Sequence, residues 1–257
     1  MAQVHRHIEG HVATLTLDNE GKYNAMTLSM WRELAEAVQQ LRADDAVRVL
    51  VLRGQGEKAF VSGADISEFE QQRNSSQAVQ AYDQAVDAAQ TALAEFPRPT
   101  IAAISGICFG GGLGLALSCD LRYGSSHSRF RMPAARLGLG YAWRGMKSLV
   151  GALGAMNAAE AFYTARIYDA AQARALGIVQ SVHEDVFAHA AETAQLIAGN
   201  APLTLRAAKL ALIALRDEVQ ADTAAIDAAV QACFASEDYA EGRRAFADKR
   251  PPRFQGR

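Results

Sequence analysis

A glycine run between a predicted strand and a predicted helix is the feature that most restricts how this chain can fold. The apolar segment Thr100–Ile104 predicts a buried strand, and Gly110–Gly112 leads into the short apolar segment Leu113–Cys119, which predicts a buried helix. Glycines at such a place let a helix lie very close to a neighbouring strand. They also leave backbone N–H groups without intrahelical acceptors at the helix start, where negative charge is favoured.

Three roles are open to such a run, and the sequence excludes one of them. A phosphate-binding loop needs GxGxxG, but Leu115 stands where the last glycine should be, and no Gly-Lys-Ser/Thr follows. The other two roles are close packing and an oxyanion hole, in which backbone donors stabilise negative charge on a carbonyl oxygen. The composition of the run does not separate these two.

Strand and helix patterns alternate in the first part of the chain, and helical patterns dominate the second. Apolar alternation or continuous apolar runs predict further strands at Val12–Leu17, Arg48–Leu52 and Ala59–Val61. Helical spacing predicts a helix capped by Thr27 and running through Trp31, Leu34, Val38 and Leu41, and others over residues 76–95, 155–165, 186–199, 203–216 and 222–235. This order predicts an α/β core followed by a helical region.

The charge balance and the apolar pattern exclude several classes of partner. Lys and Arg number 26 and Asp and Glu 28, for a formal net charge of −2, so there is no electrostatic footprint for nucleic acid or an anionic membrane. No apolar run approaches the length of a membrane span, and the first residues lack the apolar core of a secretion signal. We expect a cytoplasmic protein without nucleic-acid or membrane partners.

The three cysteines, Cys108, Cys119 and Cys233, indicate neither a disulfide framework nor a metal site. Their number is odd, no CxxC is present, and no pair of histidines stands nearby at metal-ligand spacing. We therefore expect free thiols in a reduced compartment, and no metal.

Four segments resemble, in this order along the chain, the motifs of one known family. They are Lys58–Ile66, Ile101–Asp120 with the glycine run, Arg166–Val179, and Glu241–Pro251. Because the four motifs span nearly the whole chain, the sequence resembles the crotonase (enoyl-CoA hydratase/isomerase) superfamily.

The resemblance implies a fold, an assembly and a substrate class. The fold is an α/β spiral of ββα units over residues 1–195, followed by a C-terminal helical trimerisation region over residues 196–257. The assembly is a homotrimer or a dimer of trimers. The substrate is an acyl-CoA thioester, and coenzyme A enters as part of the substrate rather than as a separate cofactor. The oxyanion donors correspond to the backbone N–H groups of Ala64 and Gly111.

The same resemblance assigns contacts to coenzyme A. The corresponding positions are Lys22, Tyr23, Ala64, Asp65, Ile66, Phe246 and Lys249. The segment 64–66 matches the positions that hold the adenine, largely through the backbone, and Lys22 and Tyr23 match the pantetheine and phosphate region. Lys22 is also explained as a solvated turn lysine. The side chains of Asp65 and Asp120 are expected to brace turns rather than to catalyse.

The acidic residues of the family's hydratases are missing from this chain. Two glutamates position and activate water in those enzymes, and their positions here are Gly114 and Ala134. The acids of the dienoyl-CoA isomerases fall at Gly114, Ala134 and Ala142, and the aspartate nucleophile of the 4-chlorobenzoyl-CoA dehalogenases falls at Ala142. We therefore expect weak or absent hydratase activity and neither of the other two reactions.

Tyr141 is the polar candidate that remains in this stretch. It stands where the methylmalonyl-CoA decarboxylases of the superfamily carry a functional tyrosine. Decarboxylation needs a poorly solvated carboxylate and a stabilised enolate, and a phenol can orient the carboxylate or deliver a proton. The alternative is a core tyrosine with a backbone partner. Arg136 and Arg144 can pair with a substrate carboxylate, but solvated or interface arginines explain them as well.

Several functions therefore stay open. The leading interpretation is an acyl-CoA enzyme that is not an efficient hydratase, and the second is a malonyl-type CoA decarboxylase using Tyr141. An isomerase that takes Glu68 as its base is a further alternative, whereas His127 and His183 have no nucleophile that a motif identifies. The missing glutamates also suggest a CoA-binding protein without catalysis.

Overall fold

The strands of this chain form two sheets, and in the middle part of the chain successive strands alternate between them. The computed structural model describes residues 2–65, 76–217 and 223–257. The strands in these residues are β1 Gln3–Glu9, β2 Val12–Asp18, β3 Val49–Gly54, β4 Ala59–Val61, β5 Thr100–Ile104, β6 Ile107–Phe109, β7 Leu121–Ser125, β8 Arg129–Arg131, β9 Tyr168–Asp169 and β10 Ser181–His183. The larger sheet has the order β1-β2-β3-β5-β7-β10, and the smaller has the order β4-β6-β8-β9.

The helices lie between and after these strands. They are α1 Leu28–Arg42, α2 Ser76–Ala94, α3 Gly111–Leu117, α4 Trp143–Leu153, α5 Ala155–Thr164, α6 Ala170–Ala175, α7 Val186–Ala198, α8 Pro202–Asp217, α9 Thr223–Phe234 and α10 Glu237–Ala247. From β3 to β8, each strand of the larger sheet is followed by one strand of the smaller sheet, and α2 and α3 follow the first two such pairs. Paired neighbours are parallel except for β1 with β2 and β8 with β9. This arrangement confirms the predicted α/β spiral of ββα units.

The larger sheet is apolar on both faces, as its continuous apolar strands predict. In β3, Leu50 and Leu52 face the main core, whereas Val49 and Val51 face a second core. Helix α1 covers the first face with the predicted stripe, and Thr27 caps it by accepting a hydrogen bond from the Met30 amide at 3.1 Å. Helix α7 covers the second face with Val186, Ala190, Ala194 and Ala198.

Three features differ from the sequence-based expectation or extend it. Helix α3 begins inside the glycine run at Gly111 rather than at Leu113, because Gly110 takes a φ of +52° that directs the chain into the helix. Strand β1 was not predicted because its residues are mostly polar and exposed, and it is held by its pairing with β2. The predicted boundary after residue 195 falls inside α7, whose apolar face is buried as far as Ala198.

A charged pair connects the helical region to the spiral. The ammonium of Lys209 in α8 is 3% exposed and lies 2.5 Å and 2.6 Å from the two carboxylate oxygens of Asp120. Asp120 also accepts hydrogen bonds from the amide and the hydroxyl of Thr100. The structural role expected for Asp120 is confirmed.

The other sequence-based expectations concern cysteines and membrane spans. All three cysteines are unpaired, and burial raises the pKa of the Cys119 thiol to about 12. Within the described ranges no single helix is long and apolar enough to cross a membrane; α7 and α8 meet that test only together and are bent by 109°.

The packing of α3 on β4 predicts the effect of adding one methyl group to the glycine run. An ideal Cβ on Gly112 would lie 2.4 Å from the carbonyl oxygen of Val61, so two backbones would have to separate. We expect Gly112→Ala to lower the free energy of unfolding by roughly 1–3 kcal/mol, measured by urea denaturation. The matched control is Gly151→Ala in α4. An ideal Cβ on Gly151 would have no neighbouring atom within 4 Å, and alanine is a better helix former than glycine. Equal effects of the two variants would contradict this account.

Candidate active site

The carboxyl ends of β4 and β6 bring Ala64 and Gly111 into one region. The two strands are parallel neighbours, and Val61 is paired with Cys108. Ala64 and Gly111 each follow their strand within three residues, and an ideal Cβ on Gly63 would lie 3.8 Å from the carbonyl oxygen of Phe109. The carboxyl ends of adjacent parallel strands are where α/β proteins assemble their sites.

The amide of Ala64 points away from Met26, the residue with which Ala64 forms a parallel backbone bridge. The Met26 amide donates to the Gly63 carbonyl at 2.8 Å, and the Asp65 amide donates to the Met26 carbonyl at 2.9 Å. Because backbone groups alternate along an extended segment, the N–H of the residue between Gly63 and Asp65 points away from Met26, to the side of β6. Ala64 is half-buried, and its amide donates no hydrogen bond within the described residues.

The amide of Gly111 is also without a protein acceptor in the described part of the chain. Gly111 is the first residue of α3, and helices leave their first amides unsatisfied. The preceding residue is fixed, since the Gly110 amide donates to the Arg131 carbonyl at 2.9 Å. Gly111 is half-buried, and an ideal Cβ on it would lie 3.1 Å from Cζ2 of Trp31. Two main-chain donors without a protein acceptor in the described residues therefore stand at neighbouring strand ends.

The positions of the missing acids lie around these donors or on the following loop. Gly114 is buried in α3, and Ala134 is 5% exposed in a short 3₁₀ helix, Ala134–Leu137. Pro133, which precedes that helix, lies within 3.6 Å of an ideal Cβ on Gly110. Ala142 is exposed immediately before α4. At these three positions the chain supplies no group that can transfer a proton.

Tyr141 is a half-buried side chain that packs between α4 and α5. Its ring makes an edge contact with Phe162, with centroids 5.4 Å apart, and an ideal Cβ on Gly145 would lie 2.6 Å from its Cε1. Burial raises the pKa of the Tyr141 phenol to about 12, so the group stays protonated at neutral pH. Its hydroxyl has no hydrogen-bond partner within the described residues. A backbone partner, the feature of the core-tyrosine alternative, is therefore not found there.

The predicted coenzyme A contacts near Ala64 are partly joined to each other. The Lys22 ammonium lies 2.8 Å from the carboxylate of Asp65, which is 6% exposed, so Lys22 is held by an ion pair while half of its side chain stays exposed. Tyr23 is 52% exposed and has a φ of +53°. Ile66 and the alternative base Glu68 lie outside the described residues.

The C-terminal predicted contacts lie at the end of α10 and just after it, before a tail that folds back on that helix. Phe246 is 88% exposed and Lys249 is exposed. Glu241 anchors the following turn, because its carboxylate accepts hydrogen bonds from the Arg250 guanidinium at 2.6 Å and the Arg253 amide at 3.0 Å. Arg48 at the start of β3 donates to the Phe254 carbonyl at 3.0 Å, which ties the tail to the spiral.

The remaining candidate side chains have other partners. Arg144 lies 3.5 Å from Asp87 on α2 and 3.8 Å from Glu95 just after it, and Arg136 is exposed. The ring of His183 stacks on His189 with centroids 3.5 Å apart, and burial, followed by the charge of His189, lowers its pKa.

His127 has a serine neighbour that no motif predicts. Its Nε2 lies 3.2 Å from the Ser105 hydroxyl, which donates to the Glu57 carbonyl at 3.0 Å. The serine proton is thus directed to a carbonyl rather than to the histidine.

Sequence reasoning missed Gln90 of α2. An ideal Cβ on Gly114 would lie 2.4 Å from Gln90 Nε2, so this carboxamide occupies the place of a side chain at position 114. No local pattern identifies it, because Gln90 lies in an Ala- and Gln-rich helix and meets Gly114 only in the folded chain.

Comparisons with known proteins agree with this architecture. A model of the enoyl-CoA hydratase/isomerase family matches residues 7–257. The chain belongs to this family. Human mitochondrial methylglutaconyl-CoA hydratase is 31% identical over 264 residues, covering 98% of this chain and 76% of that protein. The short-chain-enoyl-CoA hydratase of Clostridium acetobutylicum is 31% identical over 245 residues, covering 94% of this chain and 93% of that protein.

The solved structures extend the family assignment to the fold. An enoyl-CoA hydratase/carnithine racemase from Magnetospirillum magneticum superposes with a TM-score of 0.93 at 37% identity, covering 100% of this chain and 97% of that one. The chain therefore has the crotonase fold, and acyl-CoA processing of the enoyl-CoA hydratase/isomerase type is supported for it.

The anchor of the tail predicts a pH dependence. Hydrogen bonds from Arg250, and then from the Arg253 amide, lower the pKa of Glu241 from 4.5 to about 2. Because the pKa of Glu241 is lower in the folded state, its ionised carboxylate stabilises the docked tail at pH values above 4.5, the pKa of the undocked group. That stabilisation disappears as the pH falls from about 4.5 towards 2. We expect the amide resonance of Arg253 to move towards its unfolded position over this range.

A charge-neutral variant separates this effect from general acid unfolding. We expect Glu241→Gln to speed hydrogen exchange of residues 250–257 at pH 7, while Glu192→Gln on the exposed face of α7 leaves it unchanged. Identical exchange in the two variants would show that Glu241 does not anchor the tail.

Proposed function

We propose that this protein polarises the carbonyl of an acyl-CoA thioester between the backbone amides of Ala64 and Gly111. The observation that carries the proposal is the pair of half-buried amides at neighbouring strand ends, neither of which has an acceptor in the described residues. A thioester oxygen that becomes an enolate oxygen is the acceptor such donors fit. The family assignment supports the thioester as the substrate class.

Main-chain donors suit this role because they are fixed before the substrate arrives. In a comparable oxyanion hole, one donor contributes roughly 2.7–4 kcal/mol to transition-state stabilisation. Here the neighbouring strand positions one amide and the helix start positions the other, so neither has to reorganise during the reaction. The surrounding side chains then decide how the enolate reacts.

The chemistry around the amides argues against efficient hydration. Water addition to an enoyl thioester needs positioned acid and base groups, and Gly114 and Ala134 supply none. Although several relatives are named hydratases, we propose an acyl-CoA lyase or isomerase that hydrates enoyl-CoA poorly.

A second candidate, decarboxylation of a malonyl-type thioester, is favoured by Tyr141. The bond to the carboxylate breaks, its electron pair passes into the thioester carbonyl to form the enolate, CO₂ leaves, and a proton then adds to C2. A phenol with a pKa raised to about 12 remains a proton donor at neutral pH. The third and fourth candidates are an isomerase that uses Glu68 as its base and a CoA-binding protein without catalysis.

We further propose a homotrimer or a dimer of trimers. Two different apolar surfaces are exposed on one protomer. On α5, Met156 and Tyr163 lie seven residues apart on one face and are each at least 77% exposed, and an open groove of about 650 Å³ lies between α8, α9 and α10. Contacts between two unlike surfaces form a closed ring when the rotation from one protomer to the next closes, as it does in a trimer. A cytoplasmic location and the absence of a cofactor besides the coenzyme A of the substrate complete the proposal.

The variant Ala64→Pro removes the amide hydrogen of residue 64. Because that amide donates no hydrogen bond within the described residues, the change costs none there. We expect this variant to lower the turnover number of any acyl-CoA substrate by about 10²–10³-fold, measured by steady-state kinetics at saturating substrate. Thermal unfolding checks that the variant is folded. Full turnover in a folded variant would refute the role of this amide, and absence of turnover in the wild type on a panel of acyl-CoA thioesters would favour the non-catalytic candidate.

The missing acids and Tyr141 predict opposite results with two substrates. We expect slow hydration of crotonyl-CoA, because no carboxylate stands at position 114 or 134, and release of CO₂ from malonyl- or methylmalonyl-CoA if the second candidate is correct. Tyr141→Phe should then lower CO₂ release by about 10²-fold, since it removes the proton donor.

Tyr123 provides the matched control, because Tyr123→Phe makes the same change of side chain in the second core, under α7. Crotonyl-CoA turnover near 10³ s⁻¹, roughly the top of the usual enzyme range, would refute the proposal of poor hydration. No CO₂ above background, with coenzyme A binding intact, removes the decarboxylase candidate.

A further inference from the structure

The carboxamide of Gln90 fills a space that the sequence leaves empty at Gly114. An ideal Cβ on Gly114 would lie 2.4 Å from Gln90 Nε2 and 3.3 Å from its Cδ. Gln90 belongs to α2 and Gly114 to α3, so the contact joins two helices. A side chain from one helix therefore stands where the other helix has none.

This space lies beside the predicted thioester site. Residues 111 and 114 are three apart in α3, and residues three apart lie on the same face of a helix. The Cα–Cβ bond of a helical residue tilts towards the helix N-terminus, so a side chain at 114 covers the turn that starts at Gly111. The Gln90 carboxamide consequently lies over the turn that carries the free amide.

Gln90 has hydrogen-bonding capacity that the described protein does not use. Its side chain is half-buried, and it has no hydrogen-bond partner within the described residues. Tyr82, two turns earlier on α2, contrasts with it, since its hydroxyl accepts from Trp31 Nε1 at 2.9 Å. A carboxamide has two donor hydrogens and an acceptor oxygen, and a partly buried amide without partners favours a ligand that supplies them.

We propose that the Gln90 carboxamide donates a hydrogen bond to an oxygen on C3 of the acyl chain. The inference rests on the proposed function, because the thioester oxygen must lie at the amides of Ala64 and Gly111. With C1 held there, the carboxamide lies within about one helical turn, roughly 5 Å along α3, which an oxygen three bonds from C1 can span through a hydrogen bond. The shared chemistry is an oxygen on C3, either the carboxylate of a malonyl group or the hydroxyl of a 3-hydroxyacyl group.

The neutrality of the carboxamide matters for both kinds of acyl group. It orients a carboxylate without the strong ion pair that an arginine would form, so the carboxylate keeps the high energy that favours loss of CO₂. It also positions a hydroxyl without accepting its proton, because an amide is not a base in water. Gln90 is therefore a residue that selects the acyl group rather than one that moves protons.

Calorimetric titration with three CoA thioesters tests this selection. The probes are acetyl-CoA, which has no C3, malonyl-CoA and 3-hydroxybutyryl-CoA. We expect Gln90→Ala to weaken binding of at least one of the two C3-oxygen probes by about tenfold and to leave acetyl-CoA within about twofold. Loss confined to malonyl-CoA identifies the carboxylate as the ligand, and loss confined to 3-hydroxybutyryl-CoA identifies the hydroxyl. The matched control is Gln84→Ala, which removes an exposed glutamine of the same helix and should change none of the affinities.

A second variant tests the contact without deleting Gln90. Gly114→Ala places a methyl group where the carboxamide lies, so the flexible side chain must move. We expect the same selective loss as in Gln90→Ala, and no further selective loss when the two changes are combined.

Two results would overturn the inference. Equal weakening of all three probes, or none, in Gln90→Ala would show that Gln90 only packs between the helices. If the wild type bound none of the three thioesters, the proposed function and this inference would both fail. If the wild type binds them and Gln90→Ala shows no selective loss, only the inference fails.

Discussion

The contact of α3 with β4, with no side chain between the two backbones, sets the geometry on which the candidate site depends. An ideal Cβ on Gly112 would lie 2.4 Å from the Val61 carbonyl oxygen and 2.7 Å from the Val61 Cβ. Such an approach is open only to glycine. It brings the helix start against the strand whose continuation carries Ala64. The bridge between Met26 and Ala64 leaves the Ala64 amide pointing away from Met26.

Neutral residues stand at the positions of the family's acids and at two further polar positions. Gly114, Ala134 and Ala142 carry no acid, the phenol of Tyr141 holds its proton because burial raises its pKa to about 12, and Gln90 presents a carboxamide. A neutral pocket stabilises an enolate through oriented dipoles rather than through proton transfer by carboxylates. Family membership therefore does not by itself determine the reaction, since the same backbone supports different chemistry when these side chains change.

Charged side chains connect the helical region and the C-terminal tail to the rest of the fold. The Lys209–Asp120 pair fixes α8 to the end of α3, and Glu241 and Arg48 fix the C-terminal tail. These contacts hold the segment that carries Phe246 and Lys249. The tail that follows these two residues is therefore anchored by contacts within the protein itself.

The sequence by itself determined the strands β2 to β5, the α1 cap at Thr27 and the helices α1, α2, α3, α5, α7, α8 and α9. These features are local, because apolar periodicity, a capping residue and a glycine run encode them within a few consecutive residues. The family followed from four motifs spread over the chain, and the positions of Ala64, Gly111 and the missing acids followed from that resemblance. Only the tertiary structure decided that β1 forms by pairing with β2, that Lys209 meets Asp120, and that Gln90 fills the space above Gly114. Each of these depends on segments that are distant in the chain or polar in composition, and no periodic pattern within one segment specifies which other group it will contact.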